Sequence, residues 1–172
     1  MLRRSLLMLI GLLALGGCRT YTIPTEQVME VATEQVIPVA ERGDLSAVHT
    51  LCYRYTTGTS NTPVDYERAH FWCSRGAAHG NPTSQFILGE LYYYGLGRPR
   101  DVQRAVDEYA RAASQSWPPA MFTMYELLLA GDGVRRDERA AVGFLERAAE
   151  QNYAPAVEAL RKRRAAGTQT AR

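Results

Sequence analysis

Apolar residues in the middle of the chain recur with the period of a helix, in short stripes separated by glycine. Ser84, Leu88, Leu91 and Tyr92 stand at i, i+4, i+7 and i+8, which puts them on one helical face. Gly95 and Gly97 end that stripe, because glycine takes left-handed backbone angles cheaply. Asp101 is placed to cap a second helix by accepting bonds from its free amides. Val102, Ala105, Val106, Tyr109, Ala112 and Ala113 form that helix's stripe, and its alanines let two helices approach closely. Asn81-Pro82 opens the pattern, with proline tolerated at a first helical position. The same logic returns with Ala120, Met124, Leu127 and Leu128, then with Val142, Leu145, Ala148 and Ala149.

These stripes are copies in register. Gly95 and Gly131, Gly97 and Gly133, Asp101 and Asp137, Ala105 and Ala141, and Tyr109 and Leu145 all lie 36 residues apart. A more divergent copy precedes them: Gly43, Ser46, Leu51, Tyr55 and Gly58 lie 37 residues before Gly80, Thr83, Leu88, Tyr92 and Gly95. Past its loop the offset returns to 36, with Asp65 before Asp101 and Ala69 before Ala105. That loop therefore holds one extra residue. Ala32, Val36, Ala40 and Gly43 look like a half-repeat, and Ala156, 36 residues after Ala120, starts a capping helix. A fixed period in this range signals stacked helical hairpins.

Leu88, Gly89, Tyr92, Gly95, Gly97, Asp101, Ala105, Tyr109 and the pair Ala112-Ala113 resemble the pattern of the Sel-like repeat, a relative of the tetratricopeptide repeat. The third copy departs from it at Met124, Tyr125 and Leu128. The first has Cys52 in the glycine position and Cys73 in the aromatic one. The resemblance implies an all-α fold, a right-handed α-solenoid of helix-turn-helix units with a curved inner face. It covers residues 28–160: a half-repeat over 28–42, repeats over about 43–79, 80–115 and 116–151, and a capping helix over 154–164, with a disordered tail over 165–172.

The N-terminus reads differently. Arg3 and Arg4 precede an apolar run from Leu6 to Leu15, too short for a usual spanning helix, followed by small residues and Cys18. Leu15, Gly16, Gly17 and Cys18 resemble the lipobox of a bacterial lipoprotein. The resemblance implies a signal peptide over 1–17, lipid on Cys18, and a linker over 18–27. Arg19 after the lipidated position implies the outer membrane, with the body facing the periplasm. Each buried lipid methylene contributes roughly 0.8 kcal/mol to such an anchor.

Composition narrows the class. Cleavage before Cys18 leaves 155 residues, enough for one domain with a sizeable core. The net charge of +2 has no concentrated basic stripe, which argues against a nucleic-acid partner. The run Arg161 to Arg164 suits the end of a last helix.

Catalytic chemistry finds no support: there is no nucleophile elbow, phosphate loop or HExxH motif, and no cofactor is expected. Glu90 and Glu126 are in register and read as a repeated solvent-facing position. His49-x-x-Cys52 and His70-x-x-Cys73 share one spacing, but their repeat columns do not converge, so no metal is expected. A Cys52–Cys73 disulfide and two buried thiols both remain open. A hairpin mirrored about residue 61 sets the two α-carbons about 9–11 Å apart, whereas a disulfide needs less than about 7 Å.

In the tetratricopeptide family the first helix of each hairpin lines the concave face. The positions carried over are His49, Tyr53, Phe86, Glu90, Tyr93, Tyr94, Phe122 and Glu126. Phe86 and Phe122 fit filling between repeats equally well. Aromatic and mixed-polarity residues on a rigid face suit protein binding. The resemblance implies a non-enzymatic scaffold or accessory factor of an envelope complex, held at the membrane by its lipid. It also admits an immunity protein that blocks a secreted effector such as a phospholipase, or a module for cell wall or polysaccharide. The partner, an envelope protein or a secreted effector, is not legible in the sequence.

Overall fold

A computed structural model describes residues 32–59 and 61–169. The expected signal, the lipidation site at Cys18 and the linker lie outside the described residues. Eight helices follow one another in the described chain: α1 (Thr33–Glu41), α2 (Leu45–Thr57), α3 (Tyr66–Ala78), α4 (Pro82–Tyr94), α5 (Val102–Ser114), α6 (Pro118–Ala130), α7 (Glu138–Glu150) and α8 (Ala154–Gln169). The last helix runs past residue 164, where the sequence reading ends it. No helix among the described residues is long and apolar enough to cross a membrane.

The helix starts follow from side-chain chemistry. Asp44, Asp65, Asn81, Asp101 and Asp137 each accept a hydrogen bond from the backbone amide three residues on. Those bonds satisfy amides that have no intrahelical partner. Gly95 and Gly131 close α4 and α6 in the left-handed conformation. The chain then returns through one recurring bond: the amides of Asp65, Asp101 and Asp137 donate to the carbonyls of Tyr55, Tyr92 and Leu128 at 2.9–3.0 Å. A departure follows in the turns between repeats. Gly43 and Gly80 hold a positive-φ position that Ser116 and Asn152 take over in later copies, at φ of about 60°.

Pairs α2/α3, α4/α5 and α6/α7 form hairpins, and α3/α4, α5/α6 and α7/α8 stack them in a row. The core is correspondingly elongated. One cluster runs from Val36 to Leu91, a second from Ala105 to Ala156, and Tyr92 packs against both. Helix α1 is docked by polar contacts as well as by Val36 and Ala40. Arg54 donates to Thr33 at 2.8 Å, and the Thr33 and Thr62 hydroxyls lie 2.5 Å apart.

The cysteines correct the mirrored-hairpin estimate. Cys52 and Cys73 form a disulfide, with α-carbons 4.7 Å apart. Folding the chain symmetrically about residue 61 places Cys52 level with His70. The helices pair about a point nearer residue 62.5, and Cys73 lies opposite Cys52 instead. The repeat columns explain the closeness. Cys52 and Cys73 occupy the positions of Gly89 and Tyr109, where the Tyr109 ring lies on the glycine: a Cβ on Gly89 would fall 2.6 Å from it. The disulfide fills in one hairpin the place that a ring on glycine fills in the next. Joined sulfurs are also unavailable as thiolate ligands.

Candidate functional site

Four of the predicted surface positions converge on one pocket of about 200 Å³ between the first helices of the second and third repeats. Glu90, Tyr93 and Tyr94 reach it from α4, and Thr123, Glu126 and Ala130 from α6. Buried Tyr109 and Leu127 close its base, while Tyr94, 65% exposed, stands at its rim. Glu126 stays exposed at the pocket edge, as a solvent-facing position expects, while Glu90 in the same column is half-buried. Partial burial there raises both carboxyls above their ordinary range, because a charged oxygen loses water.

Tyr93 is held in place on three sides. Its hydroxyl donates to Asp132 at 2.6 Å, its ring meets Tyr94 edge-on at 5.1 Å, and the Arg100 guanidinium lies 5.1 Å from the ring centroid. Arg100 also donates to the Tyr93 carbonyl at 2.9 Å and sits 3.7 Å from Asp132. The bond to Asp132 raises the Tyr93 phenol, keeping it protonated. Asp132, Tyr109 and Thr123 were not among the expected surface positions. Asp132 stands 36 residues after Leu96, so a polar residue replacing an apolar one in that column was the available signal. Tyr109 is a core position in the sequence pattern and is 2% exposed, yet it also walls the pocket.

The other expected positions lie elsewhere. Tyr53 is 42% exposed on α2 and His49 is partly buried, and neither lines the pocket. Phe86 packs on Tyr109 at 5.6 Å, and Phe122 packs between Tyr125 and Tyr153 at 5.7 and 5.9 Å. These rings fill space within and between units.

Two histidines belong to the fold. His70 is 2% exposed, its Nε2 lies 2.9 Å from the Leu96 carbonyl, and its ring meets Tyr92 edge-on. As that carbonyl only accepts, Nε2 carries the proton, leaving Nδ1 without a partner among the described residues. Burial lowers the pKa of both His70 and His49, so the native state holds them neutral. The unfolded imidazole titrates near 6.5. Below about that pH the unfolded chain binds more protons, and stability is lost until the lowered native pKa is passed. Glu90, Glu108 and Glu126 have raised native pKa values, so they act in the opposite direction just above the ordinary carboxyl range. A difference between variants cancels them. The melting temperature of wild type minus that of His70→Gln is expected to shrink as pH falls from 7.5 to 5. A difference independent of pH would refute a neutral buried His70.

With this geometry in place, the likeness to known proteins is specific. The Sel1 repeat family model matches residues 46–81, 82–117 and 121–153. A crystal structure of a Sel1 repeat protein from Oxalobacter formigenes is 27% identical with a TM-score of 0.69, over 72% of this chain and 36% of that one. A protective antigen of uropathogenic Escherichia coli strains with an SLR fold is 34% identical with a TM-score of 0.66, over 71% of this chain and 26% of that one. The chain thus spans about a third and a quarter of those two proteins. Helicobacter pylori cysteine rich protein B, 18% identical with a TM-score of 0.59 over 78% of this chain and 95% of that one, shares the fold. Comparison with curated proteins gives no match.

Proposed function

The chain belongs to the Sel1 repeat family, whose members generally act as non-enzymatic mediators of protein–protein interaction, and on that premise we propose a periplasm-facing lipoprotein that captures a protein partner on its concave face. It serves there as a scaffold or accessory factor of an envelope complex. The observation that carries the reading is the convergence of Glu90, Tyr93, Tyr94 and Glu126 from two successive repeats on one pocket. Rigid tyrosines gathered on one partly enclosed patch suit a binding hot spot. The membrane anchor rests on Leu15-Gly16-Gly17-Cys18, and the Cys52–Cys73 bond supports an oxidising compartment such as the periplasm.

The test is capture of partners from envelope extract by the tagged protein, with mass spectrometry. Assembly or export components on the wild type support the scaffold. A stoichiometric secreted lipase replaces it with the immunity reading, and recovery of glycan alone replaces it with a wall-binding one. Tyr93→Ala with Glu90→Ala is expected to lower capture at least about tenfold, since hot-spot truncations cost about 2 kcal/mol or more. Unchanged capture by a folded double variant would remove this face from the function.

A further inference from the structure

The pocket's chemistry specifies more than a partner. Its lining holds three carboxylates, Glu90, Glu126 and Asp132, and no basic residue. Asp132 is engaged by Tyr93 and Arg100. Glu90 and Glu126 have no hydrogen bond or ion pair among the described residues. The Tyr109 hydroxyl is a second, independent observation, an acceptor in the pocket lining with no protein partner among the described residues. Tyr109 is 2% exposed and lines the pocket, and its oxygen makes no hydrogen bond among the described residues. Its burial and the neighbouring Glu90, Tyr94 and Tyr93 push the phenol up, so it stays neutral. The enclosure therefore offers acceptors and aromatic faces, with a surplus of negative charge. At about 200 Å³ it is smaller than the roughly 300–1,000 Å³ of pockets for drug-sized ligands.

We infer that this pocket is a receptor for one organic cation, a guanidinium or ammonium on an alkyl stem. Its nitrogens donate to Glu90, Glu126 and the Tyr109 oxygen, and its charge lies against the tyrosine rings. Charge-assisted hydrogen bonds and cation–π contact are both strengthened in such a partly dry site. The cation is supplied by an arginine or lysine side chain of the captured protein, or by a free polyamine. The inference rests on the reading of this face as the working surface, but it fails separately from it.

The test is calorimetric titration of the full chain with three probes. Acetyl-Gly-Arg-Gly-amide presents a side-chain guanidinium, agmatine presents a free one, and acetyl-Gly-citrulline-Gly-amide has nearly the arginine shape without charge. Saturable binding of a guanidinium probe, at least about tenfold tighter than the citrulline peptide, is expected. A tighter arginine peptide identifies a side-chain ligand, and tighter agmatine a free amine. Glu90→Gln and Glu126→Gln are each expected to weaken binding about tenfold, while Glu146→Gln outside the pocket leaves it unchanged. Glu126 is at the exposed rim, so its variant keeps the test valid if Glu90→Gln disturbs folding. Equal binding of arginine and citrulline peptides, no saturable binding of any probe, or indifference to both substitutions overturns the inference. If the probes fail while Tyr93→Ala with Glu90→Ala still abolishes capture, the cation site falls and the binding face stands. If the probes bind and capture is unaffected, the reverse holds.

Discussion

Cys52→Ala with Cys73→Ala, or reduction of the wild type, is expected to destabilise the protein by about 3 kcal/mol. The disulfide closes a loop with a sequence separation of 21 residues. Closing a loop of that length removes entropy from the unfolded chain worth about 3 kcal/mol at room temperature. In a domain of this size that is a fall of roughly 10 °C in melting temperature. The damage has an address. The bond joins α2 to α3 in the hairpin whose packing departs most from the family pattern, and that hairpin carries α1 on its outer side. Repeat arrays distribute stability between neighbours, so the loss is expected to concentrate there. Hydrogen exchange in reductant is expected to speed most in α1, α2 and α3 and least in α6 to α8. Two free thiols in the native protein, or melting curves that superpose with and without reductant, would refute the cross-link.

Gly97→Ala is expected to cost about 2–4 kcal/mol, the sum of a left-handed backbone penalty and an overlap. Gly97 has φ of +71°, and a Cβ there would lie 2.7 Å from the Tyr66 carbonyl carbon and 2.8 Å from its Cβ and oxygen. The obstacle is backbone at the start of α3, so two loops of successive repeats must separate to admit one methyl group. Gly80→Ala is the control. Its φ is +80°, but nothing lies within 4 Å of the added Cβ. That variant bears the backbone penalty alone, about 1–2 kcal/mol. Denaturant midpoints of the two variants measure the difference. Equal midpoints would show that the contact between the Gly97 loop and Tyr66 carries no weight.

These two effects mark where reading along the chain stops. The 36-residue register, the capping aspartates, Gly95 and Gly131 at the helix ends and the apolar stripes are all local signals, because each depends on neighbours within a turn or a hairpin. Cys52 and Cys73 were visible as occupants of the glycine and aromatic columns. Their distance was not, because it depends on how the intervening loop shifts one helix against the other by nearly a turn. The column comparison was the better guide: a pair that packs ring on glycine elsewhere must already be close.

The candidate site divides the same way. Placement of Glu90, Tyr93, Tyr94 and Glu126 on first helices followed from register alone. That they share one pocket, that Tyr109 forms its base while belonging to the core, and that Asp132 enters from a turn are consequences of stacking one hairpin on the next. Phe86 and Phe122 show the converse, since position in a column did not distinguish a ring facing a partner from one packed on Tyr109 or Tyr153. The sequence by itself determined the helical repeat, its period and the helix ends marked by capping aspartates and glycines, since helix signals act over a few residues. Only the tertiary structure decided which side chains meet across hairpins, because those contacts depend on interhelical shifts of a few ångströms that no local pattern encodes.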